Sequence, residues 1–232
     1  MHWFYTPHID GDTALLSEEE SHHALKVLRL TPGTAVVVTD GDGHGWQAHI
    51  GERAGKNVVC KLGTSLPQQQ KPNLTLVIAP TKNIDRTEWL VEKATEIGVA
   101  RIVFFLSKNS ERKNLRMDRM AKVALAAVKQ SQRLYVPELT GLVSFSEALQ
   151  TTDCDTRCIA WCGTEERPAI HLQKAISDSK NPCVLIGPEG DFTPEEVAEA
   201  EKAGFTAVSL GEARLRTETA GVYSCVINQM PL

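Results

Sequence analysis

The segment Val184-Leu-Ile-Gly-Pro-Glu-Gly-Asp-Phe192 is an apolar run that ends in a tight, glycine-rich turn. The start of a helix, Thr193-Pro194-Glu195-Glu196, follows it directly. Pro188 fixes its own φ angle, and glycines let a backbone approach a ligand closely. A second such turn, Leu210-Gly-Glu-Ala-Arg-Leu-Arg-Thr-Glu-Thr-Ala220, follows the last apolar run. The two turns predict either a site that encloses a small molecule between backbone groups or plain strand-to-helix connections without a ligand.

Around these turns, apolar runs alternate with longer amphipathic segments. The alternation predicts an α/β fold in which helices cover a mostly parallel sheet. The predicted strands are residues 74–79, 101–106, 157–162, 183–187 and 207–210. The predicted helices are residues 84–97, 117–132, 144–149, 171–177, 194–203 and 217–229. Open sheets of this kind bind ligands at the carboxyl ends of their strands, so the residues that follow each strand are candidates for a site.

The first 70 residues have a different pattern. Glycine-rich turns separate three apolar runs of β type, residues 35–39, 46–50 and 57–62, which predicts a small β-barrel. One short helix is predicted to start near Ser17, with Glu20 completing a capping box, and to run towards Leu30. The polar, proline-bracketed residues 67–72 have the composition of a linker, so the chain is predicted to divide there.

Residues 39–45, Thr-Asp-Gly-Asp-Gly-His-Gly, look like the glycine-rich loop of a Rossmann-type dehydrogenase or methyltransferase. Such a loop binds its ligand only when a helix follows it. Residues 46–50 alternate like a strand instead, so a hairpin turn is predicted. The motifs of P-loop NTPases, zincins and α/β-hydrolases do not occur in the sequence.

Composition narrows the class of protein. Of the 232 residues, 42% are hydrophobic and 23% are charged, which is ordinary for a globular protein and argues against a disordered or fibrous chain. The longest apolar runs, such as residues 102–106 and 123–128, are far shorter than the roughly 18 residues that span a bilayer. The first residues lack the pattern of a secretory signal. The sequence therefore predicts a cytoplasmic protein.

The six cysteines and seven histidines are possible metal ligands. Cys154, Cys158 and Cys162 have C-x3-C-x3-C spacing, but a strand at that position does not bring three thiolates together. We predict that the cysteines are small buried hydrophobic residues, over the alternative of a metal or cluster site. His171 is the one histidine beyond residue 49, which argues against a histidine metal site in the larger part of the chain.

Basic residues cluster between residues 101 and 133, where nine Lys and Arg stand against two acidic residues, although the net charge of the chain is −4. The most crowded part, a predicted loop and helix start, contains Lys108, Arg112, Lys113, Arg116 and Arg119. Cations at a helix start oppose the helix dipole, so stability alone does not favour them there. A surface that binds a polyanion is one interpretation, and a solvated helix face is the other.

Motifs along almost the whole chain resemble those of the RsmE-type ribosomal RNA uridine-N3 methyltransferases of the SPOUT superfamily. They are Ser21-His-His23, Val27-Leu-Arg29, Lys82, Arg86, Glu88, Lys93, Thr95-Glu-Ile-Gly98, Gln130-Ser-Gln-Arg133, Pro137, Ile186-Gly-Pro-Glu-Gly190, Leu210-Gly211 and Leu215-Arg-Thr-Glu-Thr-Ala220. Two positions depart from the family. Asp191 stands where the family usually has glycine, and Ala213, beside Arg214, stands where it has arginine. Because Asp tolerates a positive φ angle, the turn at Asp191 is predicted to be retained.

The resemblance implies a PUA-like RNA-binding β-barrel at residues 1–70 and a SPOUT α/β domain, tied in a trefoil knot, at residues 71–232. It implies homodimers with the cofactor pocket close to the dimer interface, S-adenosylmethionine as the methyl donor, and N3 of a uridine in 16S (small-subunit) ribosomal RNA as the acceptor. No metal is implied. The alternatives are another SPOUT RNA methyltransferase, for example one acting on ribose 2′-oxygens, and a non-catalytic RNA-binding protein.

The same resemblance implies roles for individual residues. The expected cofactor-binding residues are Ile186, Gly187, Pro188, Glu189, Gly190, Leu210, Gly211, Leu215, Thr219 and Ala220. Arg216 is the expected catalytic cation, and Glu218 either orients it, acts as a base or serves only as a helix-start carboxylate. The expected RNA contacts in the matched motifs are His22, His23, Arg29, Lys82, Arg86 and Arg133; for the first three, the alternative is an ordinary helix-surface role. The cluster of positive charge, and not the resemblance, adds Arg112, Lys113 and Arg116 to the expected RNA contacts.

Overall fold

The chain folds into two units, each built on its own β-sheet. The computed structural model describes residues 1–150, 153–161 and 169–230. The first unit comprises Met1–Lys71 and Leu125–Val136, and the second comprises Pro72–Ala124 and Pro137–Leu232. Residues 125–136 thus belong to the first unit, although the sequence analysis predicts that this unit ends at residue 70.

The first unit is a six-stranded sheet in the order β1-β4-β5-β6-β3-β2. Its strands are β1 (His2–Tyr5), β2 (Ile9–Asp10), β3 (Thr13–Leu15), β4 (Ala35–Thr39), β5 (Gly45–Ala54) and β6 (Asn57–Ser65). Strands β4 and β5 pair antiparallel across residues 40–44, which confirms the predicted hairpin. Strands β1 to β3 were not predicted, because each has only two to four residues and shows no alternation.

The helix predicted from Ser17 towards Leu30 is shorter than expected. Helix α1 (Glu18–His22) begins with the Ser17 side chain accepting a hydrogen bond from the Glu20 backbone N–H, while the Glu20 carboxylate accepts one from Lys129. The chain then changes to a π-helical turn, His23–Val27, and Arg29 has a φ angle of 55°. π-Helical turns and left-handed non-glycine residues are costly and are frequent at functional sites.

The second unit is a seven-stranded sheet in the order β11-β13-β10-β12-β7-β8-β9, with every pairing parallel, as predicted. The strands are β7 (Thr75–Ile78), β8 (Arg101–Leu106), β9 (Glu138–Ser144), β10 (Thr156–Ala160), β11 (Ile170–His171), β12 (Pro182–Ile186) and β13 (Thr206–Ser209). The helices are α2 (Ile84–Ile97), α3 (Met117–Ser131), α4 (Phe145–Gln150), α5 (Leu172–Ala175), α6 (Pro194–Lys202) and α7 (Thr217–Gln229).

Helices cover both faces of this sheet, so alternate strand residues enter two separate cores. Leu76 and Ile78 pack with α2, α3, α5 and α7, whereas Val77 between them packs with α4 and α6. Burial on both faces explains why these strands are continuous apolar runs. Within the described residues, no helix has the length and apolar character needed to cross a membrane.

The cysteines behave as small core residues, as predicted, at Cys60, Cys158, Cys183 and Cys225, which are all buried. Burial raises the pKa of Cys158 to about 12, so its thiol stays protonated and unreactive. Cys162 lies outside the described residues. In residues 1–150, 153–161 and 169–230, no three His, Cys, Asp or Glu side chains are grouped to hold a metal ion.

Candidate functional site

The two glycine-rich loops come together because one strand lies between the strands that precede them. Strand β10 pairs with β12 on one side and β13 on the other, and Ala160 is in register with both Ile186 and Val208. The loops at residues 187–193 and 210–216 therefore leave the sheet at the same edge. Between them lies a cavity of about 800 Å³. The residues of the predicted site that line it are Ile186, Gly187, Pro188, Glu189, Gly190, Leu210, Gly211, Leu215, Arg216 and Ala220.

Two residues of the predicted site do not line this cavity. Thr219 is exposed on α7, and Glu218 is buried on the side of α7 that faces α2. The Glu218 carboxylate lies 3.7 Å from Nε of Arg86, and its Oε2 atom has no hydrogen-bond partner in the described part of the chain. Glu218 is thus placed to hold Arg86.

The cavity also has walls that the sequence reasoning missed. They include Ala160, Trp161, Asp191, Val208, Ser209, Glu212 and Thr217. Ala213, which stands where the family usually has arginine, and its neighbour Arg214 also line the cavity. Trp161 directly follows strand β10, so the rule that sites follow strand ends could have found it.

The backbone of both loops is fixed by local hydrogen bonds. Asp191 has a φ angle of 59°, which confirms that aspartate retains the turn, and its carboxylate accepts a hydrogen bond from the Phe192 N–H. Gly211 has a φ angle of 119°, where glycine is the favoured residue. The Ser209 hydroxyl oxygen accepts a hydrogen bond from the Gly211 N–H at 3.1 Å. Local hydrogen bonds therefore contribute to the order of both loops.

The start of α7 joins the two loops and presents a cation. The buried Thr217 hydroxyl donates to the Gly187 carbonyl at 3.0 Å, so the second loop is tied to the first. Arg216 occupies the N-cap position, makes no capping hydrogen bond with its side chain and is exposed at the cavity. Free N–H groups at a helix start, together with a guanidinium, favour a negatively charged group.

Several basic residues predicted to contact RNA in the second unit already have partners. The Arg112 guanidinium donates to the carbonyls of Thr81 and Lys82, at 3.0 and 2.6 Å. Lys82 pairs with Glu111, whose hydrogen bond raises the pKa of the lysine. Arg116 pairs with Asp118 at 2.7 Å. The exposed Lys113 has no such partner in the described residues.

The remaining RNA candidates lie in the first unit. His22 and His23 are exposed at the junction between α1 and the π-helical turn, and Arg29 is exposed just after it. Arg133 follows α3 and is half-buried, which lowers the pKa of its guanidinium. The structure thus divides the candidates between the two units.

Comparisons with known proteins match two family models along the chain. Residues 16–63 match the model of the RNA methyltransferase PUA domain, and residues 68–229 match that of the RNA methyltransferase domain. The ribosomal RNA small subunit methyltransferase E of Mycobacterium tuberculosis is 30% identical over 222 residues, which are 90% of this chain and 83% of the relative. The chain belongs to the ribosomal RNA small subunit methyltransferase E family.

Solved structures show that this family member has the expected fold. The Neisseria gonorrhoeae ribosomal RNA small subunit methyltransferase E bound to S-adenosyl methionine superposes with a TM-score of 0.88 at 27% identity, covering 99% of this chain and 97% of the other. A probable rRNA-methyltransferase from Porphyromonas gingivalis gives 0.83 at 36% identity, covering 97% and 96%. The PUA-like unit and the SPOUT α/β unit are thereby confirmed.

Proposed function

We propose that this family member transfers a methyl group from S-adenosylmethionine to N3 of a uridine in 16S ribosomal RNA. The observation that carries the proposal is the cavity between residues 187–193 and 210–216, with Arg216 on its wall. The S-adenosyl methionine bound to the Neisseria gonorrhoeae relative supports the choice of cofactor. Because its proposed substrate is ribosomal RNA, we propose that the protein acts in the cytoplasm.

The residues around the cavity fit the proposed cofactor. A volume of about 800 Å³ is within the range of sites for molecules of this size. Ile186, Val208 and Leu215 supply apolar walls for a nucleoside, and the backbone groups of the two loops supply polar partners. The start of α7 suits a carboxylate. When bound, S-adenosylmethionine supplies an electrophilic methyl group on its sulfonium sulfur.

The acceptor chemistry assigns the main role to Arg216. N3 of uridine carries a proton at neutral pH and becomes a good nucleophile only after that proton has passed to solvent. A cation fixed beside the base stabilises the anion that develops. The apolar walls exclude water, and the ordered loops hold the reacting groups in position. Because Glu218 faces Arg86 and not the cavity, we assign it to positioning Arg86.

We propose that each unit contributes basic residues that contact RNA. His22, His23 and Arg29 of the first unit would contact the RNA, as would Lys113 and Arg86 of the second. Enzymes that act on a paired base must extrude it from the stack, and phosphate contacts hold the distorted backbone. Arg112 would act indirectly, by holding the carbonyls of the loop that carries Lys82.

A first prediction concerns the salt dependence of RNA binding. Changing Lys108 and Lys113 to Glu is expected to weaken RNA binding and to lower the log–log salt slope by about 0.7 to 0.9 for each phosphate that the variant no longer neutralises. Fluorescence anisotropy at several salt concentrations measures the slope. The matched control changes Lys174 and Lys202, two exposed lysines on α5 and α6, to Glu. If both double variants had the same salt slope, Lys108 and Lys113 would not contact RNA phosphates and would belong to an ordinary solvated surface.

We also propose that the protein is a homodimer formed through α2 and α7. Apolar side chains on these packed helices are exposed: Trp89 by 42%, Tyr223 by 38% and Val226 by 38%. A second copy of the chain would cover them. Because α7 also carries Arg216, this interface would lie near the cavity.

A second prediction tests the dimer. Tyr223→Glu combined with Val226→Glu is expected to convert the protein to a monomer, because charges in an apolar interface lose their hydration without gaining partners. Light scattering after gel filtration gives the mass. Leu15→Glu, at a residue of the first unit that is exposed by 39%, is the matched control and should stay dimeric. A monomeric wild type would contradict the dimer.

The function itself is tested in a purified reaction. Small ribosomal subunits from cells that lack the protein are incubated with the protein and S-adenosylmethionine, and their RNA is digested to nucleosides for mass spectrometry. The proposal predicts 3-methyluridine. A ribose-methylated nucleoside would support another SPOUT enzyme, and RNA binding without any affinity for the cofactor would support a non-catalytic binder.

A further inference from the structure

The loop that follows β8, residues 107–113, reaches the wall of the cavity through one side chain. The Asn109 amide donates to the Gly190 carbonyl at 3.1 Å and to the Asp191 carbonyl at 3.0 Å. Both of these residues line the cavity. Asn109 does not line it, so its effect on a ligand there would be indirect.

The two loops share a buried anchor beneath this contact. The Glu196 carboxylate accepts hydrogen bonds from the Ser107 hydroxyl and the Lys108 N–H, at 3.2 and 2.8 Å. The same carboxylate accepts from the Thr193 N–H at 2.9 Å. The bases of both loops are thereby fixed to α6, and Asn109 adds a link nearer the cavity.

A third loop, which follows β7, joins the same network. The Glu189 carboxylate accepts from the Lys82 N–H at 2.9 Å, and Arg112 donates to the Lys82 carbonyl. Residues 80–83, 107–113 and 187–193 are thus connected through side chain-to-backbone bonds. Of these loops, residues 107–113 carry Lys113, which is proposed to contact RNA, and the loop at residues 187–193 lines the cavity.

We infer that Asn109 is a positioning residue that holds the Gly190–Asp191 backbone in its cofactor-binding conformation and thereby couples cofactor binding to RNA binding. Without the amide, two carbonyls lose their donor and the loop must be ordered at the moment of binding, which lowers affinity. Coupling is reciprocal, so bound cofactor strengthens RNA binding by the same factor that RNA strengthens cofactor binding. This inference rests on the proposed function.

The test compares Asn109→Asp with Asn109→Ala. Aspartate keeps the shape of the side chain but turns a carboxylate towards two carbonyl oxygens, so it should do more damage than alanine. The dissociation constant and KM for S-adenosylmethionine are expected to rise about tenfold for aspartate, on the scale of one or two missing hydrogen bonds. At saturating cofactor, kcat should stay close to that of the wild type. The control is Asn114→Asp, at an exposed asparagine directly after this loop.

Coupling is measured as the RNA dissociation constant with and without S-adenosylhomocysteine. The wild type and Asn114→Asp should bind RNA more tightly with it, and both Asn109 variants should lose this difference. The inference is wrong if the wild type binds the cofactor and both Asn109 variants bind it with the same affinity and show the same cofactor-dependent gain in RNA affinity. A wild type that binds no cofactor would overturn the proposed function instead. Should Asn109→Asp fail to fold, Asn109→Ala gives the same comparison.

Discussion

Arg216→Ala is expected to lower the single-turnover rate of methyl transfer by about 10²-fold or more, the scale of removing one charge-stabilising donor. Arg216 lies at the start of α7 and lines the cavity between the two loops. The cation stabilises the N3 anion that attacks the methyl group, so the effect falls on the chemical step. RNA and cofactor affinities should change much less. Rapid-quench measurements with saturating enzyme and cofactor give the rate.

The pH dependence provides a second readout for Arg216. If N3 must lose its proton, the wild-type rate rises from about pH 6 to pH 9. A nearby cation favours the anion and lowers the effective pKa of N3, so removing Arg216 moves the profile to higher pH. Arg214→Ala, in the same loop and also at the cavity, is the matched comparison. A normal rate with an unmoved profile in Arg216→Ala would remove this residue from the mechanism.

Gly190→Val is expected to weaken S-adenosylmethionine binding by about 10²-fold or more, as overpacking at a tight contact displaces the loop. A Cβ atom at Gly190 would lie 3.0 Å from Cβ of Asn109, whose amide holds the same loop. Gly190 is not among the residues with a positive φ angle, so steric contact and not backbone strain is the reason. Isothermal titration calorimetry measures the affinity.

The control for this variant is Gly141→Val in strand β9. A Cβ atom there would lie 3.5 Å from Met117, an ordinary contact. Circular dichroism should show that both variants fold. Wild-type affinity in a folded Gly190→Val protein would show that the cofactor does not use this loop.

The fold could be predicted where burial imposes a pattern. The strands β7, β8 and β12 are covered on both faces, so their apolar runs are continuous and easy to find. Helix α2 begins and ends as predicted because Asn83 caps its start and Gly98 adopts a left-handed conformation at its end. Strand β9 was missed because its polar residues do not form an apolar run.

The site could be predicted only in part, for a similar reason. Its two loops are marked by glycine and proline at strand ends, and their motifs are local in the sequence. Asn109 was missed because its partner Gly190 is 81 residues away, and a single asparagine has no pattern. Arg112 was counted as an RNA contact from its charge, whereas the structure shows it bonded to backbone carbonyls. Charge alone does not reveal such partners.

The most direct test of the proposed function is a map of 16S ribosomal RNA methylation by mass spectrometry in cells that lack this protein. The account predicts that one 3-methyluridine is absent, that the wild-type chain restores it, and that Arg216→Ala at equal abundance does not. An unchanged set of 3-methyluridines in the deleted cells, or the loss of a ribose methylation in their place, would contradict it.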